Sequence, residues 1–123
     1  MKELEHYKSF PLAGFTFYEG ALVFGKLKVG KKLRLVLEPE NKYDPQAVAV
    51  YFKGYKLGFV PKNSNYSISK FLSCGFNVFE ARIQRIDPTA SPEHQVGVVV
   101  YLKKVVEEKL FELAGDGGVV NEN

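Results

Sequence analysis

"LRLVLEPENKYDPQAVAVYFKGYKLGFVP" (residues 33–61) is the stretch whose reading decides the fold. Leu33, Leu35 and Leu37 alternate with other residues, which gives a strand one buried face, and Pro39 ends it. A polar turn, "ENKYDP", follows. "AVAVYF" (47–52) then returns to a period of two, with Val48 and Val50 on one side. "KGYK" is a tight turn into "KLGFVP" (56–61), so these two strands are expected to form a hairpin.

The same punctuation extends in both directions. "GFTFYEG" (14–20) is aromatic, flanked by glycines, and is expected to be the first strand. Residues 1–11 are expected to be an N-terminal extension. "PKNSNYSISKFLSCG" (61–75) predicts a helix, with Asn63 and Ser64 as cap candidates. Tyr66, Ile68, Phe71 and Leu72 supply its apolar stripe, and Gly75 stops it. "FEARIQRID" (79–87) and "QVGVVVYLKK" (95–104) complete about six strands. "VVEEKLFELAG" (105–115) predicts a second short helix, before a frayed acidic tail to residue 123. The reading is a mostly β domain over residues 12–104, curled into a barrel or sandwich. A helix is inserted between strands four and five.

Composition narrows the function. The 123 residues suit one domain, and roughly two-thirds of the unfolded surface of such a chain is buried on folding. Cys74 is the only cysteine, which excludes a disulfide framework and a multi-cysteine zinc site. No apolar segment follows the charged "MKELEH", and no apolar run approaches the roughly 20 residues of a membrane span. A cytoplasmic protein with no membrane partner is expected. The net charge of +3 hides an asymmetry. Of 17 Lys and Arg and 14 Asp and Glu, residues 105–123 hold one and five, a net of −4. The body keeps 16 and 9, a net of +7. A basic body suits a polyanion, and equally a solvated lysine-rich surface.

No catalytic constellation competes for attention. G-x-S-x-G, Walker-type and H-E-x-x-H patterns are absent from the sequence. No cofactor is expected. Glu38, Glu40 and Asp44 cluster in sequence, but the two glutamates flank a proline at a strand end, where solvated acids are usual. Cys74 reads as a small core residue. Asp44 precedes Pro45, so its carboxylate suits backbone N–H groups just downstream, and Tyr43 beside it suits a rim position. Lys26, Lys28, Lys31, Lys32 and Arg34 lie close together without an intervening acid and suggest a flexible basic loop, a secondary patch for binding nucleic acid. Lys62, at the start of the predicted helix, suits a phosphate. Phe17 and Tyr43 are candidate stacking platforms for nucleic-acid bases. Strand alternation equally allows Phe15 and Phe17 to face the core.

Together these residues resemble a HIRAN domain. The likeness covers roughly residues 12–104. It rests on the ordered pattern E-P-x-N-x-Y-D-x-x-A-[VI]-x-V followed by x-x-G-[YF]-[VL]-P. It implies a small OB-like or SH3-like β-barrel. In eukaryotes such domains are attached to Swi/Snf-type ATPases that remodel stalled replication forks, where they capture the free 3′-hydroxyl end of single-stranded DNA. The resemblance implies that Tyr43 flanks or stacks on the terminal base and that Asp44 accepts a hydrogen bond from the 3′-hydroxyl. It sets Phe17 facing the same pocket and Lys62 near the end phosphates. Two positions depart from the fork-remodeller pattern: Thr16 stands in place of an arginine, and Phe59 in place of a histidine. The arginine's charge-assisted contact is therefore missing.

Three readings follow. The first is a non-enzymatic module for single-stranded DNA 3′ ends in DNA repair or replication-associated processing, serving a separate helicase, ATPase or nuclease. The second is a protein-interaction adaptor that has lost DNA binding. The third is a metal-dependent phosphodiesterase built on Glu38, Glu40 and Asp44.

Overall fold

The computed structural model describes residues 3–15 and 18–104. Six strands form one antiparallel sheet: β1 (Leu4–Pro11), β2 (Lys32–Leu37), β3 (Val48–Phe52), β4 (Tyr55–Phe59), β5 (Phe79–Ile86) and β6 (Val96–Lys103). Two short helices join them, α1 (Gly20–Val23) and α2 (Tyr66–Ser73). The spatial order is β1-β6-β5-β2-β3-β4.

The alternation in β2 and β3 sets the register. Leu35 faces Val50 and Leu37 faces Val48, so both strands turn the same face to the core. Phe52 pairs with Tyr55 across a two-residue turn at Lys53 and Gly54, and Lys53 takes a φ of +57°. The other inner faces add Leu33, Leu57, Phe79, Ala81, Ile83, Val96, Val98 and Val100, all buried in one cluster. Ile68 of α2 is completely buried beneath it.

Two expectations fail at the N-terminus. The described residues of 14–20 are not in a strand. Phe15 is buried in the core, α1 starts at Gly20, and the described backbone around them meets β4 only at points. The supposed extension is the true first strand, since Leu4–Pro11 pairs with β6 along its length. A β-bulge between His6 and Lys8 explains the misreading. It breaks the period of two, so Tyr7 and Phe10, three residues apart, both reach the core.

The sheet is also open rather than a closed barrel, because no ladder joins β1 to β4. Among the described residues its two ends meet at an isolated bridge, Ala13 with Phe59. Leu12 N–H still donates to Val96 O of β6 at 2.9 Å. One residue later, Ala13 N–H donates to Phe59 O at 2.9 Å and Ala13 O accepts from Phe59 N–H at 2.8 Å. The chain thus crosses from one end of the sheet to the other within two residues and then turns toward α1. That is too short a passage for a ladder.

Helix α2 is shorter than expected. Lys62–Ser64 form a separate tight turn, and Asn65 is the N-cap residue. At the other end Gly75 takes φ +87°, with Gly75 N–H donating to Leu72 O and Phe76 N–H to Phe71 O. This is the Schellman arrangement that glycine permits. Cys74 sits at that exposed end and is not a core residue. The basic loop is tied to the body at Leu27, Gly30 and Lys31. Leu27 is buried, Gly30 N–H donates to Ile83 O, and Ile83 N–H donates to Lys31 O. The helix expected over 105–115 and the acidic tail lie outside the described residues. Among those described, no helix is long and apolar enough to cross a membrane.

Candidate functional site

An open cleft of about 320 Å³ lies where three segments converge on the end of β4: the β2–β3 turn, the crossing segment around Ala13 and Tyr18, and the turn before α2. Its chemistry begins with Asn41. The side-chain Oδ1 accepts the N–H groups of Tyr43 at 2.8 Å and Asp44 at 3.1 Å. Its Nδ2 donates to Glu38 Oε1 at 3.1 Å. Asp44 repeats the device one step on, its Oδ1 accepting Gln46 N–H at 2.9 Å. Such side chains fold the backbone locally, which is why a polar, proline-containing stretch holds a single shape.

The second carboxylate oxygen is fixed from a distant part of the chain. Asn65 Nδ2 donates to Asp44 Oδ2 at 2.8 Å, and Asn65 is only 2% exposed. Both Asp44 oxygens are therefore oriented, and each keeps a further lone pair for another donor. Tyr43 is the opposite case. It is 89% exposed, so its ring faces solvent at the cleft mouth.

The far wall is aromatic. Phe59 and Tyr18 meet edge to face, with centroids 5.5 Å apart. Lys56 Nζ lies 4.4 Å from the Phe59 centroid and 4.8 Å from that of Tyr18. The same ammonium donates to Glu38 Oε2 at 2.6 Å. Glu19 holds this wall in place, its N–H donating to Lys56 O and its Oε1 accepting Lys56 N–H, both at 2.9 Å.

Burial pushes the Glu38 carboxyl upward. The hydrogen bonds from Lys56 and Asn41 and the Lys56 charge together outweigh it, leaving Glu38 below its ordinary value. A depressed carboxylate stabilises the fold above its ordinary titration range, and that contribution disappears as pH falls through the lowered value. The two side chains are 26% and 21% exposed, so solvent screens the pair partly. Glu38→Gln should lose about 1 kcal/mol at pH 7. In urea titrations the gap between Glu38→Gln and the parent protein should shrink toward zero as the pH falls through the lowered Glu38 value. A gap independent of pH would contradict the ion-pair account.

Tyr43, Asp44, Phe59 and Lys62 line one cleft. Thr16 and Phe17 lie outside the described residues. Lys26, Lys28, Lys31, Lys32 and Arg34 do not line the cleft. Lys62 belongs to the turn before α2, where Ser64 N–H is taken by Pro61 O, so a phosphate there would meet the ammonium rather than a helix end. Asn41, Asn65, Tyr18 and Lys56 were not recognised from sequence. Asn41 had a readable signal, standing two and three residues before the amides it captures. Asn65 had none, because its partner is 21 residues away. Glu38 and Asp44 each accept from protein donors, and among the described residues no group of three or more His, Cys, Asp or Glu is placed to hold a metal.

The HIRAN domain family model matches residues 7–105. The chain belongs to the HIRAN domain family. The match begins inside β1, which agrees with that strand being part of the domain. A solved protein from Lactobacillus plantarum is similar in structure, with a TM-score of 0.72 and 17% identity, covering 85% of this chain and 100% of that one. The crystal structure of the HIRAN domain of human HLTF gives a TM-score of 0.62 and 14% identity, covering 93% of this chain and 88% of that one. At such identities these two likenesses speak for the fold. No curated protein sequence matches the chain.

Proposed function

We propose that this HIRAN domain is a nucleic-acid-binding module whose cleft receives a free 3′-hydroxyl end of single-stranded DNA, in repair or replication-associated processing and without catalysis of its own. One observation carries the reading: Asp44, held at both oxygens, shares a cleft with the exposed ring of Tyr43 and the ammonium of Lys62. A terminal nucleotide offers a base to stack, a hydroxyl to donate and a phosphate to neutralise. Stacking on an exposed ring contributes about 1–3 kcal/mol per base. An ionised carboxylate accepts from a hydroxyl but repels a phosphate, so it separates a chain end from continuing backbone. Phe59, with Tyr18 and Lys56, walls the nucleotide in, and the wall owes its charge to Lys56 rather than to residue 16. A separate helicase, ATPase or nuclease would act on the end so held.

Fluorescence anisotropy with oligonucleotides ending in 3′-hydroxyl or 3′-phosphate tests this. The hydroxyl end should bind at least tenfold tighter, and raising salt should weaken both. Equal affinity for the two ends would remove end capture. The adaptor reading rests on a different face, where Tyr66, Phe71 and Phe76 are 56%, 47% and 58% exposed. It requires a protein partner sensitive to Phe71→Ser and no oligonucleotide affinity at low salt.

A further inference from the structure

The outer face of the sheet carries a second cation–aromatic pair in line with the cleft wall. Tyr51 is the Cα partner of Arg34 on β2 and of Lys56 on β4. Arg34, Tyr51 and Lys56 therefore form one cross-strand row, and at a strand spacing of ~4.8 Å its ends are roughly 10 Å apart. At the Lys56 end the row touches Phe59 and Tyr18. At the other end the Arg34 guanidinium lies over the Tyr51 ring, 5.3 Å from its centroid. Lys32 follows two residues along the same strand face, and Arg34 and Lys32 are both exposed.

The charges on this face are not equivalent. Arg82, the cross-strand partner of Lys32, is tied to Glu80 at 2.5 Å and also donates to Gly30 O. Arg85 donates to His94 O. Arg34 has no acidic partner among the described residues. Its guanidinium is already oriented by Tyr51, its outward plane can stack a base, and its N–H edge can meet a phosphate.

We propose that a single-stranded nucleic acid leaving the cleft runs over Phe59 and Lys56 to this row, with Arg34 on Tyr51 as a second binding station beyond the terminal nucleotides. The proposal rests on the cleft reading above and extends it from an end pocket to a footprint. For a strand whose bases stay stacked, at a rise of ~3.4 Å per nucleotide, the 10 Å row adds roughly three steps beyond the cleft. The terminal nucleotide thus occupies the cleft, a trinucleotide ends short of Arg34, and longer strands gain the station.

Anisotropy with a labelled thymidine trinucleotide and octanucleotide, each ending in 3′-hydroxyl, tests it in the parent protein, Arg34→Gln and Lys70→Gln. Lys70 is an exposed lysine on α2, off the row and outside the cleft lining, so its variant controls for general charge. The parent should bind the octanucleotide about tenfold tighter than the trinucleotide. Arg34→Gln should lose that gain, lower the salt slope by about one, and leave trinucleotide binding unchanged. Lys70→Gln should change neither. Equal affinity of the parent for both lengths overturns the second station while leaving the cleft reading intact. So does an equal effect of the two variants, or an Arg34→Gln effect on both lengths. No binding of either oligonucleotide by the parent overturns the cleft reading, and this one with it.

Discussion

Asp44→Ala is expected to weaken both the fold and the binding of a 3′-hydroxyl oligonucleotide, and the two losses can be separated. The substitution removes the acceptors of Gln46 N–H and of Asn65 Nδ2. Gln46 can turn to water. Asn65 cannot, because it is 2% exposed, so its amide loses a charge-assisted bond inside the protein. A buried donor left without its partner costs about 1–3 kcal/mol, and the lost bonds to a charged acceptor bring the total to about 2–4 kcal/mol. For a domain of this size that lowers the melting temperature by about 8–15 °C. Measured below that transition, on folded protein, affinity for the hydroxyl end should still fall at least tenfold. Asp44→Asn divides the two effects. Its side-chain oxygen still accepts Gln46 N–H, and Asn65 restores the second bond by flipping its amide. Most of the stability should return, while the preference for hydroxyl over phosphate should narrow, since an amide no longer repels phosphate. Unchanged end preference in Asp44→Asn would mean that the carboxylate is structural only.

The same residues mark what a single sequence can reveal. The β2–β3–β4 meander is local. Leu33 to Leu37, Val48 to Val50 and the Lys53–Gly54 turn each declare themselves within a few residues, and the paired register follows from which face is apolar. Tyr43 and Asp44 stood out because the turn chemistry of Asn41, Asp44 and Pro45 is also local. What failed was non-local. The strand at Leu4–Pro11 exists because β6, about ninety residues later, pairs with it, and its bulge hides the alternation. The aromatic alternation at Phe15 and beyond looked like a strand, yet the described part of that segment meets β4 only at single points. Asn65 was legible as polar and near a helix start, but its burial depends on α2 docking against the β2–β3 turn. Lys56 read as one lysine among many. Its value comes from standing between Tyr18, Phe59 and Glu38, which approach from three separate segments.

Gly58→Ala is the substitution expected to damage the fold most, because it acts on the bridge at which the two ends of the open sheet meet. A Cβ at Gly58 would lie 2.3 Å from Ala13 O and 3.2 Å from Leu12 Cγ. The first neighbour is backbone, so it cannot swing aside as a side chain would, and φ at this position is +157°. Relief requires the crossing segment to lift from β4. That breaks both bonds of the Ala13–Phe59 bridge and draws Leu12, 1% exposed, out of the core. Two backbone hydrogen bonds contribute about 0.5–1.5 kcal/mol each, and partial exposure of a leucine adds about 1–2 kcal/mol. The expected loss is therefore about 3–5 kcal/mol, or at least about 10 °C in melting temperature. Amide exchange should report where it falls: the N–H groups of Ala13 and Phe59 lose protection first, while Val98 and Val100 in β6 keep theirs below the melting transition. The cleft should suffer as well, since Ala13, Phe59 and Tyr18 all line it, so oligonucleotide affinity drops although neither Asp44 nor Lys62 is touched. A melting temperature within 2 °C of the parent would show that the crossing is not the closure it looks to be, and that the sheet holds its curvature through the twist of its strands alone.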